Sequence, residues 1–226
     1  IILYVSSMMA AFMFNLVLCQ FYISGKIYPL KDYMNYLAHF QLSNNDENLI
    51  IGNYIADDVK GKAYLNYSSE IQRGILLHRK IDDFTDNHIV VDNSKGLIRQ
   101  HQNKFTPVVM DVFYDYFLAN NWKNYSNKEL LSFTTHIYKV LFKNIALLTA
   151  QSQMRLPFMA KNNWLYNYKN MSGIEKSLTG MSKRTKYDNN MNNAHLILRE
   201  KEHELNVDFN AFYPDLINCV ANELKK

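Results

Sequence analysis

From residue 34 onward, apolar residues recur at spacings of three and four almost without a break, the period of a helix packed on one face. Ile71, Ile75, Leu76 and Ile81 show it within a single stretch, and no convincing run alternates with a period of two. Breakers are scarce, with 7 Gly and 4 Pro in 226 residues, which favours long helices over a turn-rich β architecture. The pattern predicts helices over 36–42, 48–59, 70–85, 92–102, 106–122, 126–148, 151–169, 172–183, 190–204 and 209–224. Local signals support several ends: Gly61 as a stop, Ser68-Ser69-Glu70 as a cap, Pro107 at a first helical position, and Ser126 to Glu129 at capping-box spacing. No repeat or low-complexity linker divides the segment. The fold class expected is all-α, a single helical-bundle-like domain over 34–226, long enough for a complete core.

Residues 1–33 are a different kind of sequence. Ile1 to Ser24 carries no charge, and the first charged residue is Lys26. That length could cross a bilayer as an anchor. Ser6, Ser7, Asn15 and Gln20 interrupt the run, the chain does not begin with Met, and no small-residue cleavage site closes it. The expectation is an apolar leader that is a non-native upstream extension, with a membrane anchor as the alternative and a core helix as the third.

Charge and cysteine content narrow the function classes. A net charge of +4 suits an acidic partner but falls far short of a dedicated nucleic-acid binder, and no basic-aromatic stripe stands out. Cys19 and Cys219 form neither a CxxC nor a zinc pattern, so a reducing, cytoplasmic setting is the simple reading.

The informative residues are polar ones inside the predicted helices. Asn53 and Asp57 are four apart, as are His78 and Asp82, with Asp86 one turn further on; Asp111 and Asp115 repeat the spacing. Residues at i and i+4 leave one face of a helix, so each pair can aim two ligands at one point. Any one pair alone is also met by a solvated face or an ion pair, such as Asp82 or Asp83 with Arg79 or Lys80, and His78 alone could be a hydrogen-bonded core histidine. Three pairs in an apolar bundle are harder to dismiss. Buried carboxylates left uncompensated cost several kcal/mol each. Helical bundles build metal sites from such groups on facing helices, and oxygen ligands with imidazole suit Mn²⁺, Mg²⁺ or Fe²⁺. His101, His136, His195 and His203 lack carboxylate neighbours at helical spacing and read as structural.

Three ordered stretches carry a resemblance: Met34-Asn35-Tyr36-Leu37-Ala38-His39-Phe40, the run Gly52 to Gly61, and Gly74 to His88 with its His78-Arg79-Lys80-Ile81-Asp82-Asp83 centre. Asp111 to Leu118 and Gly180-Met181-Ser182-Lys183-Arg184 are similar as well. Together they resemble the acyl carrier protein phosphodiesterase family, from Met34 almost to the C-terminus. The resemblance implies a helical fold distantly related to HD-type metal phosphohydrolases. It implies removal of 4′-phosphopantetheine from holo acyl carrier protein with a divalent cation, typically manganese. Asp57 matches the family's catalytically important aspartate, and His39, His78, Asp82, Asp86, His88, Asp111 and Asp115 match its polar positions. Tyr116 stands where many relatives have His, and Ile89 where Pro frequently follows His88.

On this reading Asp57, His78 and Asp82, with Asp111 or Asp115, hold the cation, while Arg79 or Arg184 neutralises phosphoryl charge. Lys60, Lys62, Arg73, Arg155, Lys161 and Lys183 are candidates for steering an acidic carrier protein, although a solvated face is the simpler reading for most of them. Two rivals stand beside it: an HD-like phosphohydrolase acting on a nucleotide or another small phosphodiester, and a non-catalytic helical module that binds carrier proteins.

Overall fold

A computed structural model describes residues 36–225; the leader, Cys19 and the Met34-Asn35 end of the first motif lie outside the described residues. The described residues form helices and connecting turns, with no strand among them. In chain order the helices are α1 (Tyr36–Leu42), α2 (Glu47–Ile55), α3 (Ser69–Asp86), α4 (Ile89–Gln102), α5 (Thr106–Asn120), α6 (Trp122–Tyr125), α7 (Leu130–Lys143), α8 (Ala150–Lys161), α9 (Trp164–Asn167), α10 (Met171–Arg184), α11 (Ala194–Glu200) and α12 (Glu202–Glu223). No helix among the described residues is long and apolar enough to cross a membrane.

One core runs through the bundle. Tyr36, Phe40, Ile50, Tyr54, Ile75, Phe113, Phe117, Ile137, Leu178 and Phe209 are each at most 2% exposed and belong to a single contiguous cluster. Helix α5 is its axis: Val109 to Ala119 are buried except Asp111, and this helix contacts α1, α4, α10 and α12. The polar residue Asp115 is part of that buried stretch. It caps α1 from a distance, accepting the backbone N–H of Leu37 at 2.9 Å and of Ala38 at 3.0 Å.

The α2–α3 crossing sets the geometry of everything that follows. A Cβ placed on Gly52 would sit 2.5 Å from the Ile71 carbonyl oxygen and 2.6 Å from the Gly74 Cα; one placed on Gly74 would sit 2.8 Å from the Gly52 Cα. Two backbones therefore touch through paired glycines, one turn before His78 on α3 and five residues before Asp57 in the turn that follows α2. Alanine at position 74 would gain about 1 kcal/mol of helix propensity, yet it meets backbone that cannot move aside. Gly74→Ala is expected to destabilise by about 3 kcal/mol, the upper end of ordinary overpacking. Urea unfolding of the two proteins measures the difference.

Several helix limits differ from the sequence pattern, for local reasons. The second helix stops at Ile55, and Ala56-Asp57-Asp58 tighten into a 3-10 turn rather than continuing to Val59. The fourth begins at Ile89, because the His88 side chain accepts the Val90 N–H and supplies a cap that apolar periodicity does not reveal. The capping box at Ser126 does not form: the Ser126 hydroxyl accepts from Lys128 N, and α7 starts only at Leu130. Asn163, at φ 45°, breaks the segment expected over 151–169 into α8 and α9. A break at Lys201 similarly ends α11 and starts α12.

Candidate metal centre

Helices α1, α3 and α5, the 3-10 turn after α2, and α12 enclose a cavity of about 240 Å³. Its lining includes His39 from α1, Asp57 from the turn, His78, Asp82 and Asp86 from α3, and Asp111 and Asp115 from α5. The three sequence pairs thus meet at one place, apart from Asn53, which stands behind His39. Bending α2 into the 3-10 turn aims Asp57 at His78 while Asn53 stays buried.

Two imidazoles form the floor of the cluster. The His39 and His78 rings stack with centroids 4.0 Å apart and planes 17° from parallel. Asp82 bridges them: its Oδ1 lies 3.3 Å from His39 Nε2 and its Oδ2 3.2 Å from His78 Nε2. Asp57 Oδ1 is 3.5 Å from the same His78 nitrogen. Burial alone would lower His78, but the hydrogen bonds and charges of Asp57 and Asp82 outweigh it and hold the imidazole near 10. Burial would raise Asp82 and Asp57, and the two histidines reverse it, so both carboxylates fall below the usual range. Burial, followed by the neighbouring His78, lowers His39.

The hydrogen bonds behind His39 settle which of its nitrogens faces the cavity. Ser43 Oγ donates to the His39 carbonyl at 2.8 Å and so accepts from Asn53 Nδ2 at 2.9 Å. That orients the Asn53 amide with its oxygen 3.2 Å from His39 Nδ1. The Nδ1 of a neutral His39 is therefore the protonated one, and the Nε2 lone pair faces Asp82. Two acceptors 3.3 Å apart require a proton or a cation between them.

Donors about 2.1 Å from one small cation lie roughly 3.0–3.4 Å from one another, close to the 3.2–3.5 Å separations found here. His39, His78 and Asp82 can hold a metal ion. His78 Nδ1 is buried with no hydrogen-bond partner among the described residues. The surrounding charge favours a cation too. Five carboxylates line the cavity and no lysine or arginine does; Lys95 reaches only Asp86, at 2.8 Å. Burial, then Asp82 and Asp86, pushes Asp111 well above the carboxylate range. Burial raises Asp115 to about 7 against the two backbone donors of α1.

Other residues singled out in the sequence stand elsewhere. His88 caps α4, with Nε2 3.4 Å from Asp215 and its ring against Phe84 and Phe212, and does not line the cavity. Arg79 follows His78 by one residue, a turn of about 100° around the helix, so it points away. Its Nη2 donates to the Val59 carbonyl at 2.8 Å and its guanidinium lies 5.3 Å from the Tyr64 ring centre. Arg184 packs over Gly180 at the end of α10, outside the lining. Lys60, Lys62, Arg73, Lys161 and Lys183 are exposed. Arg155 is not a steering residue: it is 1% exposed and buried against Asp58. Tyr116 also faces away from the cavity, donating to Glu202 Oε1 at 2.6 Å, so its replacement of a frequent histidine leaves the cluster untouched. Reasoning from sequence missed Lys95, Asn53 as the partner of His39, and Asp58.

Comparison with known proteins agrees with this architecture in extent. A family model described as acyl carrier protein phosphodiesterase matches residues 34–216. Among curated relatives of that name, one from Photorhabdus laumondii is 27% identical over 84% of this chain and 96% of its own length. One from Yersinia enterocolitica is 32% identical over 67% and 79%, and one from Serratia proteamaculans is 28% identical over 81% and 96%. No solved structure matches the chain, so the expected kinship with HD-type phosphohydrolases has no structural neighbour to rest on. The cavity residues from His39 to Asp115 all fall within the matched segment, and the chain belongs to the acyl carrier protein phosphodiesterase family.

Proposed function

We propose that this chain hydrolyses the phosphodiester joining 4′-phosphopantetheine to acyl carrier protein, at a divalent cation held by His39, His78 and Asp82. The observation that carries the metal reading is the lone pair of His39 Nε2 set 3.3 Å from the Asp82 carboxylate, with Asn53 fixing the tautomer. A bound divalent cation, most simply Mn²⁺ for this mixed imidazole and carboxylate set, polarises a phosphoryl oxygen and lowers the pKa of water.

The protein groups divide the remaining work. Asp82 orients both imidazoles, and Asn53 holds His39 in the tautomer that offers Nε2. Asp57 touches only one of the two histidines and is kept ionised, which places it to accept the proton of the attacking water. Lys95 neutralises Asp86 at the rim, reducing repulsion of an incoming phosphate. Exposed Lys60, Lys62 and Arg73 attract an acidic carrier protein from a distance, mainly through the encounter rate. With such a substrate the chain works in the cytoplasm.

The test is direct. The Mn²⁺-loaded protein and holo carrier protein are incubated together and the carrier is weighed by intact-mass spectrometry. Loss of the phosphopantetheine mass, with release of 4′-phosphopantetheine, is the expected result. An unchanged carrier alongside turnover of small diesters would replace this substrate with a nucleotide-like one. No turnover of either would leave a binding module.

A further inference from the structure

The cavity has two unlike halves. Besides the His–Asp cluster, its lining takes Phe209, Phe212 and Leu216 from α12 and Pro107 and Val108 from the start of α5. Tyr114 and Tyr213 complete this wall, and both hydroxyls are engaged elsewhere: Tyr114 shares a hydrogen bond with Ser94 at 2.8 Å, and Tyr213 donates to Gln41 Oε1 at 2.9 Å. Ser94 in turn donates to Asp208 at 2.7 Å, which fixes the Tyr114 end. The tyrosines therefore present ring carbon to the cavity, and with Phe209, Phe212, Leu216, Pro107 and Val108 they make an apolar surface that runs beside Asp111 and Asp115 of α5.

A phosphodiester bound at the cluster carries two substituents, and only one can lie inside. A helix with its side chains is about 10–12 Å across, so the folded carrier protein cannot enter a space of about 240 Å³ and must stay at the rim. The slender substituent goes in. The wall also selects its chemistry. With no lysine or arginine in the lining, further phosphates would meet carboxylates alone, which disfavours a nucleoside di- or triphosphate and favours a neutral chain with an apolar segment. Pantetheine is such a chain, with a gem-dimethyl group close to its phosphate end.

We propose that the apolar wall is a specificity subsite for the pantetheine arm and that Val108, half-buried at its rim, controls how much of the arm is admitted. The proposal rests on the phosphodiesterase reading for the identity of the arm. Contact with the wall supplies binding that is present before and during the reaction, so it acts on KM more than on kcat.

Saturation-transfer NMR on the full Mg²⁺-loaded chain, with phosphate-free pantetheine as the probe, tests the subsite without the chemistry. Transfer to the gem-dimethyl protons is expected in the wild-type protein. Val108→Trp fills the space and should abolish the transfer, and Val108→Ala should weaken binding several-fold; thermal melts show that both variants are folded. With holo carrier protein as substrate, Val108→Ala should raise KM several-fold and leave kcat nearly constant. Absent transfer in the wild type, or transfer unchanged in both folded variants, overturns the subsite and leaves the phosphodiesterase reading standing. Transfer that responds to Val108 in a protein that never cleaves holo carrier protein keeps the subsite and removes that reading.

Discussion

Asp82→Asn is expected to empty the proposed metal centre and lower hydrolysis of holo carrier protein far beyond the roughly 10–100-fold typical of a supporting residue. Among the carboxylates, Asp82 is the one that meets both imidazoles, at 3.3 Å from His39 and 3.2 Å from His78. An amide keeps the shape but offers one neutral oxygen in place of two charged ones, so a cation held by His39, His78 and Asp82 would lose its charged ligand. Packing changes little, because the Asp82 side chain is 47% exposed. Metal content by elemental mass spectrometry and kcat/KM report the loss, and a variant retaining both would exclude Asp82 from the site. The metal-free protein offers a second readout. His78 is held up near 10 against an ordinary 6.5 by Asp57 and Asp82, despite its burial. A histidine raised in the folded state stabilises fully below about 6.5, and that contribution is lost as pH rises through about 10. Urea stability of metal-free wild type should therefore fall across that window, and the fall should be shallower in Asp82→Asn.

Legibility in the sequence followed the periodicity of helices. His78, Asp82 and Asp86 sit on one regular helix, α3, and their spacing alone puts them on one face, lining one cavity. Asp111 and Asp115 follow the same rule on α5. Asn53 and Asp57 share the spacing without sharing the task, because the chain tightens into a 3-10 turn between them; Asn53 ends up behind His39 and Asp57 in front of His78. Periodicity cannot see such a local change of pitch. Arg79 and Arg184 were drawn toward the phosphate by their charge, yet one residue of helical rotation carries Arg79 to the Val59 carbonyl. Asp115 caps α1 across 78 residues of chain. A hydrogen bond at that separation leaves no local trace, and neither does the pairing of Asp58 with Arg155, 97 residues apart.

That last pair supports the largest stability effect expected of a residue outside the cavity. Asp58 and Arg155 side chains are 4% and 1% exposed, with Arg155 Nη2 3.3 Å from Asp58 Oδ2. The same carboxylate oxygen accepts from the Thr149 and Ser152 hydroxyls at the start of α8. The Arg155 guanidinium lies 5.3 Å from the Tyr54 ring centre and 5.6 Å from that of Tyr36. The pair ties the turn that carries Asp57 to the first turns of α8. Removing one member leaves the other buried without its opposite charge, at about 3–5 kcal/mol. Asp58→Asn and Arg155→Met should each destabilise by that amount in urea titrations. Arg155→Lys should recover little, since an ammonium cannot copy a planar guanidinium between two tyrosine rings. Combining Asp58→Asn with Arg155→Met should cost much less than the two losses added, because neither partner is then left charged alone. Additive losses would show that the pair acts as two independent packing residues. Activity separates the tie from simple stability: in folded Asp58→Asn at low temperature, kcat should fall as the 56–58 turn loosens and Asp57 loses its aim at His78, while metal content, which on the proposed reading depends on His39, His78 and Asp82, stays near that of the wild type.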